Sequence, residues 1–216
     1  MSLNNDLIDL SLKGNRADFT FGDVLTTLIL ISQETMGRYK LQIELALTES
    51  NAKSLLNYCK KENLLESTRG RAGHSLSTKG KKIISIIEKY IIDHGEFVYQ
   101  VFPQKFHYYV QISSENRIDY QSWKIRDMAV SFGCEAILVL KIDDEGKLYF
   151  PEKELKLEKF YPDMITKANE LFMEKLRENS LILIVSAPEL VIARKGAIMT
   201  AMNLSEGLVS ILKTYL

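Results

Sequence analysis

The sequence predicts a two-domain α+β protein, and three observations carry that expectation. A chain of 216 residues exceeds one small module and suits two compact domains. All four prolines, Pro103, Pro151, Pro162 and Pro188, lie beyond residue 100, and the stretch before them repeats apolar residues at helical spacing. Beyond residue 100, alternating and continuous apolar runs of strand length take turns with helical stripes. The expected division is a helical domain over 1–95 and an α/β sandwich over 96–216.

In the first part, Phe21, Val24, Leu28 and Ile31 recur at helical spacing and Gly37 stops the helix. A short second helix is expected from Tyr39 to Leu47, with Leu41, Leu45 and Ala46 inward. Thr48 is a natural N-cap for a third helix, its hydroxyl able to accept an orphan amide. There Ala52, Leu55, Leu56 and Cys59 occupy i, i+3, i+4 and i+7, while Ser50, Lys53, Ser54, Asn57 and Lys61 share the opposite face. Asn63 suits the left-handed residue that ends a helix. Leu64 to Thr68 reads as a strand, Arg69-Gly70-Arg71-Ala72-Gly73 as a turn, and His74 to Ser77 as the returning strand. Thr78 opens a last helix burying Ile83, Ile84, Ile87, Tyr90 and Ile91.

The overall charge is zero, yet its distribution is uneven. Between Met36 and Tyr90 there are 11 Lys and Arg against 5 Asp and Glu, whereas the segments on either side are net acidic. A positive field confined to a quarter of the chain matters more to a polyanion than the sum does.

The order helix, helix, helix, strand, basic turn, strand, helix resembles the winged helix-turn-helix superfamily of transcriptional regulators. Tyr39-Lys40-Leu41 through Leu64-Leu65, the turn 69–74 and the run Leu76-Ser77-Thr78-Lys79-Gly80 carry the resemblance. The last run is similar to the entry of the helix that follows the wing in such regulators. It departs from the usual pattern at Asn63, where glycine is common. As a whole the chain is similar to uncharacterised archaeal proteins that pair a winged helix with a C-terminal domain of unknown function.

The resemblance implies a recognition helix over 49–62 in the major groove of double-stranded DNA and a wing over 69–74 on the adjacent minor groove or backbone. Ser50, Asn51, Lys53, Ser54 and Asn57 are the expected groove contacts. Lys60 and Lys61, nearer the far end, suit phosphate, as do Tyr39, Lys40 and Thr48 on the flanking backbone. Arg69 and Arg71 suit the minor groove. The alternatives are a winged helix used for protein contact, and an archaeal cofactor-metabolism enzyme with a regulatory winged helix.

In the second part, Phe106, Tyr108, Val110 and Ile112 alternate as a strand buried on one face. Ile125, Met128, Ala129 and Phe132 mark a helix, and Ala136 to Ile142 a continuous apolar strand. Asp143 to Gly146 turns into a strand over 147–150. Ile165, Ala168, Phe172 and Leu176 mark another helix, Leu181 to Val185 an apolar strand, and 189–203 and 207–215 further helices. Strand-helix-strand-strand-helix-strand is the order of a ferredoxin-like sandwich, but that topology leaves 136–142 and 181–185 at the edges. Their composition fits the centre of a sheet covered on both faces better.

A ligand site is expected where 181–185 hands over to the next helix. Pro188 would start that helix, Ser186 would line its entry, and Arg194 and Lys195 would add charge for an anion. A small-molecule effector or a homodimer contact is assigned to this domain.

No catalysis, cofactor or metal is expected, because His74, His94 and His107 are scattered without ligand spacing. Cys59 and Cys134, in apolar company, form no disulfide framework. Gly73 to Gly80-Lys81-Lys82 lacks the spacing and the Ser or Thr of a phosphate loop. No apolar run approaches the ~20 residues of a membrane span, and residues near Asp6 and Asp9 lack signal-peptide character. A cytoplasmic setting is expected.

Overall fold

The computed structural model describes residues 19–68, 73–99, 101–103, 105–113, 121–142, 148–151, 159, 161, 163, 180–205 and 207–215. The chain divides into two compact units, Met1–Ile87 with Val209–Leu216, and Glu88–Leu208. It is a mixed α+β protein, and its described residues form two antiparallel sheets.

In the first unit, α1 (Phe21–Gln33) begins at a capping box. Thr20 accepts from the Asp23 amide, and the Asp23 carboxylate accepts from the Thr20 amide at 2.7 Å, so two orphan donors are satisfied reciprocally. Next comes α2 (Arg38–Glu44), with Leu41 fully buried. The helix stops before Ala46, which takes φ 49° and faces solvent rather than the core. Its inward placement fails because a left-handed residue leaves the helical register.

The third helix, α3 (Glu49–Lys61), is capped by Thr48 and buries Ala52, Leu55, Leu56 and Cys59. Asn63 adopts φ 55°, as a helix-ending asparagine does. Then β1 (Leu65–Ser67) pairs antiparallel with β2 (His74–Leu76), and Met36 adds a bridge to His74. The turn between them, with Arg69 and Arg71, lies outside the described residues. Its closing residue Gly73 takes φ +98° and packs on the Met36 backbone; a Cβ there would sit 2.4 Å from the Met36 carbonyl oxygen. Only glycine meets both conditions.

Then α4 (Thr78–Ile87) buries Ile83, Ile84 and Ile87. It ends there, not at 91: Tyr90 lies in a turn and Ile91 opens a strand. Ile91 keeps its burial while the backbone changes from helix to strand, so apolar spacing alone misplaced the boundary. The last helix, α7 (Leu208–Tyr215), falls in the first unit for all but its first residue.

In the second unit, β3 (Ile91–Glu96), β4 (Phe106–Ile112), β5 (Ala136–Ile142), β6 (Leu148–Tyr149) and β7 (Leu181–Ala187) form one sheet in the order β3-β4-β7-β5-β6. The ferredoxin-like order is therefore not adopted. Strand β7 is central, as its unbroken apolar composition requires, and β5 is internal too. Strands β4 and β5 are both antiparallel to β7, so β4, the helix α5 (Ser122–Ser131) and β5 make a split crossover around it.

Strand β4 is buried on both faces. His107, Tyr109 and Gln111 are as inaccessible as Tyr108, Val110 and Ile112, while Phe106 is exposed. Tyr109, Ile182, Ile184, Leu138 and Leu140 share one face, packed with Phe97, Val101 and Phe150. Helix α6 (Leu190–Leu204) packs on β3, β4 and β7, and α5 packs on β5 and α6. The turn over 143–146 and the helix expected at 165–176 lie outside the described residues.

The contact of α6 with the end of α5 depends on Gly196. A Cβ there would stand 2.0 Å from Cys134 Sγ. Gly196→Ala is expected to cost about 2 kcal/mol of stability through overpacking. Cys134→Ala in the same chain removes the colliding atom, since the Cys134 Cβ is 3.7 Å away. In chemical denaturation the double variant should lose clearly less stability than the two single losses added together.

Candidate nucleic-acid interface

Helix α3 separates its two faces cleanly. Opposite the buried stripe, Ser50, Lys53, Ser54, Asn57, Lys60 and Lys61 are all exposed, and Asn51 is half-buried. Its N-terminal end is ordered by hydroxyls: the Asn51 amide donates to Thr48 Oγ1 at 3.2 Å, and Thr48 Oγ1 lies 3.1 Å from Ser50 Oγ. Thr48 is thus a cap first, with its hydroxyl already engaged by α3.

The run Leu76-Ser77-Thr78-Lys79-Gly80 locks α4 onto the far end of α3. The Ser77 amide donates to the Leu64 carbonyl at 3.0 Å, and the Ser77 hydroxyl donates to the Asn63 carbonyl. Ser77 Oγ also accepts from the Gly80 amide at 3.0 Å, as an N-cap does. The Lys79 ammonium donates to the Glu62 carbonyl at 2.9 Å, a cation meeting the carbonyl end of a helix. Gly80 lets the two backbones touch: a Cβ there would lie 2.2 Å from the Leu64 carbonyl oxygen. These residues orient the helix.

The α2 cations are paired. Lys40 forms an ion pair with Glu34, and Arg38 Nη2 lies 3.0 Å from Glu49 Oε1. Both members of the Lys40–Glu34 pair are about half exposed, at 46% and 55%. Tyr39 is 75% exposed and Ile43, one turn on, 57%. Arg38 and Glu49 were missing from the expected contacts. Their link joins two helices, so no helical spacing within one element reveals it.

The structure does not assemble the expected anion site of the second unit. Strand β7 runs on to Ala187, and Ser186 is fully buried in it, 2.8 Å from His107 Nδ1. The Arg194 guanidinium lies over the Tyr108 ring, 5.7 Å from its centroid. His107 and Tyr108 are neighbours in β4 and so point to opposite faces. The sheet stands between Ser186 and Arg194. The helix begins at Leu190 with Glu189 at its cap, two residues after Pro188, and a carboxylate there repels an anion. Lys195 is half-buried on α6.

His107 is buried, with Ser186 as a cross-strand partner, and burial lowers its pKa from the usual 6.5. His74 is lowered by burial and then by nearby Lys60. His94 Nδ1 lies 2.8 Å from the Tyr108 hydroxyl. Burial pushes both Cys59 and Cys134 up to about 12, so neither is a ready thiolate.

A pH dependence follows from the histidines. Because His107 and His74 hold protons less well when folded, the unfolded chain binds more protons below about pH 6.5. Stability is full above that value and falls as pH drops toward the lowered folded-state values. Denaturation between about pH 7.5 and 5.5 should show this decline, and His107→Gln should make it shallower. An unchanged slope in that variant would contradict the assignment to His107.

A family model described as Domain of unknown function (DUF4443) matches residues 103–204, a region within the second unit. The chain is similar in structure to a hypothetical protein from Pyrococcus horikoshii OT3, with a TM-score of 0.74 and 22% sequence identity. The match covers 92% of this chain and 100% of that one, and it shows a shared fold. No curated protein matches the chain. Among the described residues no helix is long and apolar enough to cross a membrane.

Proposed function

We propose that the first unit is a winged helix-turn-helix and that the protein is a transcriptional regulator that binds double-stranded DNA. One observation carries the reading: α3 buries its apolar stripe and presents Ser50, Lys53, Ser54, Asn57, Lys60 and Lys61 to solvent. Small polar side chains with interspersed lysines match the donor and acceptor edges of the major groove and the phosphates along it. The hairpin of β1 and β2 supplies the wing, and the sequence between these strands contains Arg69 and Arg71.

A single such module reads one half-site, so a homodimer on a two-fold symmetric operator follows. The second unit then serves dimerisation or the sensing of a small molecule. Fluorescence titration of the full chain with random-sequence duplex at two salt concentrations tests the reading. Binding that weakens steeply with salt is expected; absence of binding at low salt overturns it.

Exposed Tyr39 and Ile43 on α2 favour a second reading, a winged helix that docks a protein. Under that reading Tyr39→Ala with Ile43→Ala abolishes partner capture while duplex affinity stays at background.

A further inference from the structure

We propose that Glu49, held in place by Arg38, reads a base in the major groove and selects cytosine; the inference rests on the duplex-binding reading above. Glu49 is the first residue of α3 after its cap, at the end of a recognition helix that meets base edges. A carboxylate is out of place on a surface approaching a polyanion unless something cancels its charge and gives it a task.

Arg38 supplies the first condition. Its Nη2 lies 3.0 Å from Glu49 Oε1, and the two side chains are 48% and 68% exposed. The pair is therefore reachable by a large ligand, and its net charge is zero. The guanidinium comes from α2 and the carboxylate from α3, so the contact also fixes the direction of Glu49 relative to both helices. An exposed ion pair of this kind adds little to stability, which leaves the positioning of the carboxylate as its main consequence.

The groove supplies the task. An ionised carboxylate only accepts hydrogen bonds, and with Oε1 bound to Arg38 the second oxygen retains its acceptor capacity. Guanine offers acceptors alone in the major groove, and thymine an acceptor and a methyl group. Adenine sets its amino donor beside the N7 acceptor. Cytosine N4 is a donor without that adjacent acceptor on the same base. A fixed carboxylate oxygen is repelled by the first two, poorly matched to the third and satisfied by the fourth.

Selection of bound duplexes from a random pool by the full chain tests this. The wild type is expected to show one cytosine position in each half-site. Glu49→Ala should make that position indifferent, an about tenfold relaxation, with other positions retained and random-duplex affinity equal or higher. Glu49→Gln should shift the same position toward adenine, which a carboxamide pairs through N6 and N7. Arg38→Met should relax the same position and lower overall affinity. Unchanged preferences in both Glu49 variants would reduce the pair to a brace between helices and overturn the inference, as would loss of a preference for a base other than cytosine. A wild type that binds no duplex overturns the DNA-binding reading itself.

Discussion

Gly80→Ala is expected to destabilise the first unit by about 3 kcal/mol or more, although alanine is the better helix former by roughly 1 kcal/mol. The added Cβ would fall 2.2 Å from the Leu64 carbonyl oxygen, which is backbone and cannot rotate aside. That carbonyl is also held by the Ser77 amide at 3.0 Å. Relief requires α4 to lift away from the end of α3, which breaks the Lys79 hydrogen bond to the Glu62 carbonyl and loosens the burial of Ile83 and Ile84. Denaturant titration followed by circular dichroism measures the loss. Serine should behave no better than alanine, because it adds the same Cβ. A Gly80→Ala chain as stable as the wild type would mean that α4 seats differently from the arrangement described.

The second large effect concerns binding. Replacing Lys53, Lys60 and Lys61 together by glutamine is expected to weaken duplex affinity on the order of a hundredfold near physiological salt. It should also flatten the log–log salt dependence by about 0.9 for each phosphate that is no longer neutralised. All three are exposed on the outward side of α3, so stability should change by less than about 0.5 kcal/mol. That separation matters: abolished binding with an unchanged unfolding curve reports on the interface, not on the fold. Undiminished affinity in the triple variant would remove α3 from the interface and leave the exposed α2 residues as the better candidate surface.

Much of the first unit was legible in the order of residues. The two faces of α3, the Thr48 cap, the left-handed Asn63 and the paired strands flanking a glycine-rich turn all follow from local spacing and side-chain chemistry. The run Leu76 to Gly80 was recognisable as a pattern, but its reason was not. Ser77, Lys79 and Gly80 each answer a backbone carbonyl between residues 62 and 64, well before them in the chain.

Local periodicity by itself determined which side of α3 and α4 avoids water, because an apolar stripe at helical spacing falls on one face; it did not foresee that β4 is buried on both faces. Tertiary pairing alone decided that β7 takes the centre of the sheet and that Ile91 begins a strand rather than ending a helix. It also set Ser186 and Arg194 on opposite sides of that sheet, and brought Arg38 to Glu49 across two helices. The reason is common to all four. Each outcome depends on which distant segment supplies the missing hydrogen bonds or packing surface, and that choice is made by the whole chain.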